Sequence, residues 1–326
     1  MGGVRTGPPV VEVANPSRTL DPAVNQWVGV AANAGSGRGW GRKAVGKLHD
    51  ALESVGVRCR IGWTPAERAE IVADSIQDPR CRCLVAAGGD GTVAALINER
   101  PSVPIAVLPT GTENLFARHF AFGRRPGRLS QAILAGRSTP LDVGLIFGRR
   151  FSLMAGFGFD ADVVSRHHAS RVALNGHAGP THRGAYVGPL LGSSLRYRFP
   201  EITVQIDDPG EEETIVGTTA FLFNLPRYAM GLPFAPAALG DDGRLDLVVF
   251  RKPGPFRALH YLWLVLRGVH LGREDVIHRR IRSATFSCLE SVPFQLDGDP
   301  GGILEPPTDG SLRVEVLPGA VRVIVP

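Results

Sequence analysis

Residues 82–87 (RCLVAA) run without a break into Gly88-Gly89-Asp90-Gly91-Thr92, and residues 92–99 continue with a helical pattern. A short apolar run closed by glycines reads as a buried strand, and a polar glycine loop followed at once by a helix is a strand–loop–helix unit. The same unit recurs on both sides. Upstream, 27–32 is an apolar strand and 38–55 a helix with Val45, Leu48, Leu52 and Val55 on one face; 57–63 alternates like a strand. Thr64-Pro65-Ala66-Glu67 opens the next helix with a Thr cap, Pro in the first turn and a Glu that completes a capping box. Downstream, 104–108 is a strand and 114–120 a helix. Alternating β and α elements predict a parallel sheet covered on both faces, with ligands bound outside the carboxyl ends of the strands.

Past Leu141 the texture changes to short strands and turns: 141–147, 151–158, 202–206, 214–224, 244–251, 285–291, 311–317 and 321–325, with helices near 162–170 and 255–268. This predicts a mainly antiparallel β unit. The expected layout is a tail over 1–25, an α/β domain over 26–141 and a β domain over 142–326; the closing strands could instead return to the first domain. Phe256–Leu271 comes nearest to an amphipathic anchor and reads as core.

The loops after the strands carry the chemistry. Asn33-Ala34-Gly35-Ser36-Gly37, Gly88–Thr92 and Leu108-Pro109-Thr110-Gly111-Thr112-Glu113-Asn114 all sit at the carboxyl ends of strands. Small residues let backbone N–H groups approach phosphate, and a helix N-terminus favours the anion. One such loop is a turn; three on neighbouring strands point to one site, with a nucleoside triphosphate as its natural occupant. Gly41–Lys47 matches GxxxxGK, but Leu48 replaces the Ser or Thr that holds Mg²⁺ and the segment lies inside a helix, so it is no P-loop. Only Lys43, Lys47 and Lys252 are lysines, so phosphate charge must be met by backbone N–H groups, arginine and Mg²⁺.

The 326 residues are 44% hydrophobic, enough for two domains with large cores. No apolar run approaches the roughly 20 residues of a membrane-spanning helix, and the first residues lack a signal-peptide core or a myristoylation signal. A cytoplasmic protein is expected. Cys59, Cys81, Cys83 and Cys288 fit neither a zinc site nor a disulfide framework and read as reduced thiols. The net charge of +5 suits an anionic membrane face, a nucleotide or nucleic acid. His167, His168, His177 and His182, among arginines and glycines, read as a solvated loop near the substrate entrance rather than a metal cluster.

In this order, Asn33–Gly37, Gly88–Thr92 (GGDGT) and Pro109–Asn114 (PTGTEN) resemble the diacylglycerol kinase catalytic-domain family, which includes sphingosine, ceramide and bacterial lipid kinases. Leu141-Asp142-Val143-Gly144, Gly156–Ala161 (GFGFDA), Leu239–Leu247 (LGDDGRLDL) and Leu296-Asp297-Gly298-Asp299 extend the resemblance over nearly the whole chain after the tail. It implies a phosphofructokinase/NAD-kinase-like α/β domain, then a β-sandwich, with the active site between them.

The resemblance implies these site residues. Asn33, Ser36 and Gly37 hold the nucleotide loop, Thr64 lies near adenine, Gly88, Gly89, Gly91 and Thr92 cradle phosphates, and Thr112 and Asn114 complete the site. Asp297 matches the bacterial carboxylate that takes the proton from the lipid hydroxyl. Asp90 matches the carboxylate given that task in sphingosine kinases; the choice stays open, with Asp297 preferred and Asp90 in the metal network. Asp242, with the carbonyls of Leu239 and Arg244, matches a structural Mg²⁺ loop, and Asp299 a further metal contact. Three departures stand out: Ala34 for the usual Pro, Leu115 for a metal-network Asp, and Asp299 for a Glu. The implied activity is ATP- and Mg²⁺-dependent phosphorylation of a diacylglycerol-like lipid or a sphingoid base by a protein that docks peripherally on an anionic membrane, with no nucleic-acid partner and a homodimer through edge strands as an expectation. The rivals are an NAD kinase, which shares GGDGT, and a lipid- or nucleotide-binding protein without catalysis.

Overall fold

The computed structural model describes residues 25–33, 35, 40–175, 196–210, 212–306 and 311–326. Strands β1 (Trp27–Ala32), β2 (Arg58–Gly62), β3 (Cys81–Gly88) and β4 (Ile105–Pro109) form a parallel sheet in the order β2-β1-β3-β4. β1 and β4 are buried throughout, as strands covered on both faces must be. Helices α1 (Trp40–Glu53), α2 (Pro65–Gln77), α3 (Asp90–Asn98), α4 (Leu115–His119) and α5 (Pro126–Ala135) accompany them. α1 buries Val45, Leu48 and Leu52, the face that the spacing predicts; Val55 falls beyond its end and is exposed. The capping box of α2 is complete: Thr64 Oγ1 accepts the Glu67 N–H at 3.2 Å, and the Glu67 carboxylate accepts the Thr64 N–H at 2.9 Å.

The second half builds β5 (Ser138–Ile146), β6 (Arg149–Phe151), β7 (Met154–Gly158), β8 (Ile202–Ile206), β9 (Glu213–Gly217), β10 (Thr219–Phe223), β11 (Leu245–Phe250), β12 (Val276–Ile281), β13 (Ser283–Cys288), β14 (Val292–Leu296), β15 (Asp299–Leu304) and β16 (Leu312–Ile324). Six of them form an antiparallel sheet, β12-β11-β10-β7-β14-β15. It packs across a core in which Phe157 stacks on Phe286 at 4.2 Å and on Phe294 at 5.7 Å between ring centroids. β8, β9 and β13 belong to the large sheet, which continues β4-β16-β13-β8-β9. The architecture is an α/β domain followed by a β-sandwich-like domain.

The 311–317 and 321–325 segments are one strand rather than two. β16 bends between Leu317 and Val321, where Gly319 has φ +58°, and pairs with β5 on both sides of the bend. Its first part pairs with β13 and its last part lies parallel to β4 through Val323 and Ile105. Among the described residues, α6 (Phe159–Asn175) and α7 (Pro255–Leu266) flank the sheets of the second half. His167 is buried on α6 rather than solvated; His177 and His182 lie outside the described residues. α7 is only partly core: Tyr261, Leu264 and Val265 are buried, whereas Phe256, Trp263 and Leu266 are exposed. Cys81, Cys83 and Cys288 are buried free thiols and Cys59 is half-buried. Among the described residues no helix is long and apolar enough to cross a membrane.

Candidate active site

The three loops meet because their strands are neighbours. The Asn33 N–H donates to Ala87 O at 3.1 Å, and the Thr110 N–H donates to Gly88 O at 2.9 Å. Gly89 and Gly111 lie back to back: a Cβ on Gly111 would sit 2.5 Å from the Gly89 Cα. Gly88 has no room either, since its Cβ would fall 2.0 Å from Thr92 Oγ1. These glycines are dictated by close approach. α3 then starts at Asp90, after Gly89, with no side-chain cap at its N-terminus.

Asn114 holds the third loop. In the left-handed region at φ 51°, it accepts the Gly111 N–H on Oδ1 at 3.0 Å and donates from Nδ2 to Gly111 O at 2.7 Å. Its side chain shapes the loop instead of facing the cleft. Asn33 Oδ1 accepts the Gly35 N–H at 2.9 Å and turns the first loop in the same way. Ser36 and Gly37 lie outside the described residues.

A cleft of about 740 Å³ runs from these loops into the second half. Asn33, Gly89, Asp90, Gly91, Thr92 and Thr112 line one end. Asp297, in the turn between β14 and β15, and Asp299, the first residue of β15, also line the cleft. Much of the remaining wall is apolar, with Phe159, Val163, Phe199, Phe221, Phe234 and Leu262. One cavity thus joins a polar backbone cradle to an apolar slot, with carboxylates on its wall.

These carboxylates differ in their surroundings. Asp297 has φ 52°, and its two oxygens accept four hydrogen bonds from the turn ahead of β7: the Ser152 N–H and hydroxyl at 2.9 and 3.1 Å, Leu153 N–H at 2.8 Å and Met154 N–H at 3.0 Å. Burial pushes its carboxyl up to about 6 against the opposing pull of those donors. Asp90 accepts the Phe116 N–H at 2.9 Å, at the start of α4, and burial raises its carboxyl too. Asp299 is exposed, with Oδ2 3.5 Å from where a Gly91 Cβ would stand, so it reaches across to the start of α3. Leu115, where the resemblance has an Asp, is buried beside the cleft.

Other predicted positions fall elsewhere. Thr64 is exposed and does not line the cleft; it caps α2, and α2 presents Arg68 to the cleft wall, where Arg68 Nε donates to Thr64 O at 3.2 Å. Leu239, Asp242 and Arg244 do not line the cleft either. The Asp242 carboxylate accepts the Arg244 N–H at 2.9 Å and forms an ion pair with Arg280. Among the described residues no group of three or more His, Cys, Asp or Glu is arranged to hold a metal ion. Asp90 and Asp299, beside the backbone bends, still suit Mg²⁺, which one or two carboxylates hold together with substrate oxygens and water.

The motif reading passed over Asp160, which lay inside the GFGFDA stretch without a role. It lines the cleft where α6 begins and accepts from Gln295 Nε2 at 2.9 Å and from the Tyr228 hydroxyl at 3.3 Å. Burial pushes its carboxyl up to about 6. A carboxylate directly after an apolar strand, in a first helical turn, was the available signal. Lys252 also lines the cleft.

Comparison with known proteins agrees with this geometry. The family described as diacylglycerol kinase catalytic domain matches residues 28–146, and that described as YegS C-terminal NAD kinase beta sandwich-like domain matches residues 154–325. A diacylglycerol kinase of Staphylococcus carnosus is 28% identical over 229 residues, 68% of this chain and 71% of that one. A Chromohalobacter salexigens protein named "Probable lipid kinase YegS-like" is 25% identical over 293 residues, 87% of this chain and 88% of its own length. The crystal structure of a diacylglycerol kinase from Bacillus anthracis has the same fold, with a TM-score of 0.65 at 16% identity over 93% of this chain and 97% of that one. The two-domain match, over the halves that together build the cleft, shows that the chain belongs to the diacylglycerol kinase catalytic-domain family of lipid kinases, with a YegS-type C-terminal domain.

Proposed function

We propose that the chain transfers the γ-phosphate of ATP, with Mg²⁺, to a hydroxyl of a diacylglycerol-like lipid, a sphingoid base being the next candidate. The observation that carries this reading is the continuity of one cleft from the three backbone bends to an apolar slot, past Asp297 and Asp299. Phosphoryl transfer asks the protein mainly for positioning and charge neutralisation. The bends and the α3 N-terminus would cradle phosphate oxygens. Asp90 and Asp299 would hold Mg²⁺, which supplies the positive charge that the two carboxylates otherwise deny the triphosphate. Arg68, at the cleft wall, adds a permanent cation. The apolar slot would take the acyl chains and leave the hydroxyl at the carboxylates.

Asp297 remains our choice for proton acceptor. It is buried and fixed, and its raised carboxyl suits a base near neutrality. With two donors on each oxygen, one must yield before a substrate hydroxyl can bond. The Ser152 hydroxyl is the single rotor among the four and is the one able to turn away. That crowding favours a second reading in which Asp90 is the base and Asp297 positions the turn. Residues 26–141 and 142–326 are proposed as the nucleotide and lipid halves. Incubation with labelled ATP, Mg²⁺ and, in separate reactions, diacylglycerol, sphingosine and NAD tests the function. Labelled phospholipid supports it; label on NAD alone would sink it in favour of an NAD kinase, and no transfer to any acceptor would favour a binding protein.

A further inference from the structure

α7 carries two apolar faces, and the fold uses one. Tyr261, Leu264 and Val265 enter the core, while Phe256, Leu259, Trp263 and Leu266, spaced three, four and three apart, form a second stripe on the other side. Phe256 is 86% exposed, Trp263 52% and Leu266 60%, too much large apolar surface on one helix to be incidental. The stripe adjoins the cleft: Leu259 belongs to both, and Ala258 and Leu262 beside it line the apolar slot. Met230, on the 228–232 turn, is likewise both exposed and part of the cleft lining.

The charge along this stretch of the chain is of one sign. From Arg251 to Arg273 every charged residue is basic, and no acid occurs before Glu274. Lys252 and Arg273 pair with the buried Asp275, which leaves Arg251, Arg257 and Arg267 at the surface. Arg267 lies 5.5 Å over the Trp263 ring, and the His260 ring stacks on Trp263 at 5.9 Å. An indole at a polar–apolar border under a guanidinium suits the headgroup level of a bilayer. From this juxtaposition we infer that the exposed face of α7 is the docking surface for an anionic lipid bilayer and sets the apolar end of the cleft against the acyl chains. The inference rests on the lipid-kinase reading for the use of docking, but not for docking itself. Apolar insertion supplies one part of the affinity and attraction of the arginines to anionic headgroups the other.

The test is flotation of the full chain with phosphatidylcholine vesicles, with and without phosphatidylglycerol. The wild type is expected to float with the anionic vesicles and to be released by salt. A variant carrying Phe256→Ser, Trp263→Ser and Leu266→Ser should bind them at least about tenfold more weakly, with an unchanged thermal melt. The pair Arg257→Glu and Arg267→Glu should lose binding to the anionic vesicles alone. None of these five residues lines the cleft, so transfer to diacylglycerol dispersed in detergent should stay at the wild-type rate. Equal flotation of the triple variant and wild type overturns the inference. So does a wild-type dimer that the triple variant converts to monomer, since a second copy would then cover the face. If vesicle binding behaves as expected while neither protein transfers phosphate, docking stands and the kinase reading fails.

Discussion

At the scale of single residues, the cleft relies on side chains that are both buried and committed. Asp297 spends both oxygens on one turn, so Asp297→Asn places an amide NH₂ against N–H donors and should cost about 2 kcal/mol of stability. If Asp297 is the base, the folded fraction of that variant, quantified by circular dichroism, loses activity by about 10²-fold or more. If Asp90 is the base, Asp90→Asn shows the larger loss at equal folded fraction. Asp160 gives a prediction about pH. Its folded carboxyl lies near 6, above the usual 3.8, so the folded state binds the extra proton between those values. The stability it contributes is therefore present in acid, falls as pH rises through about 6, and stays low above it. Asp160→Asn should then stabilise the protein by up to about 2 kcal/mol at pH 8 and give no such gain at pH 4 in denaturant titrations. A gain that does not vary with pH would contradict this. Gly111→Ala must push against the Gly89 backbone and should weaken ATP affinity by about tenfold or more, read by nucleotide titration.

At the scale of elements, what could be read depended on how local the cause is. The α2 capping box was legible because four consecutive residues contain the whole motif, and Thr64→Ala should cost about 1 kcal/mol in a thermal or denaturant melt. If Arg68 is placed by that helix start, the same variant should also raise the KM for ATP while leaving kcat nearly unchanged. α5 went unread because Gly127 dilutes a short apolar pattern. β14 and β15 went unread for a different reason. Pro293 and Pro300, with Gly301 and Gly302, look like turn residues, but β15 is an edge strand that tolerates proline, and a side chain at Gly301 would strike the Phe294 ring. α7 was misjudged because its residues are mostly apolar, and only tertiary packing decides which face is buried. The three loops at the polar end of the cleft were legible as glycine-rich ends of strands. The network of Asp160, Gln295 and Tyr228 was not, since its members lie 67 to 135 residues apart and share no motif.

At the scale of the whole molecule, the two halves are tied by the β5–β16 ribbon and by Asp142. That carboxylate accepts Gly319 N–H at 2.7 Å from the bend of β16 and Gly243 N–H at 2.6 Å from the DDG turn. Asp142→Ala leaves both donors unpaired and should cost about 3 kcal/mol, and unfolding should remain a single transition because one strand runs through both halves. The same ribbon fixes how the second half faces the first, which is what makes a single cleft out of two domains. The account stands or falls on that cleft accepting a phosphoryl donor at one end and a lipid hydroxyl at the other. The most direct measurement is transfer of labelled γ-phosphate from ATP to diacylglycerol by the purified chain, with and without Mg²⁺. Labelled phosphatidic acid that requires Mg²⁺ is the predicted product; no labelled lipid, or the same transfer without Mg²⁺, would contradict the account.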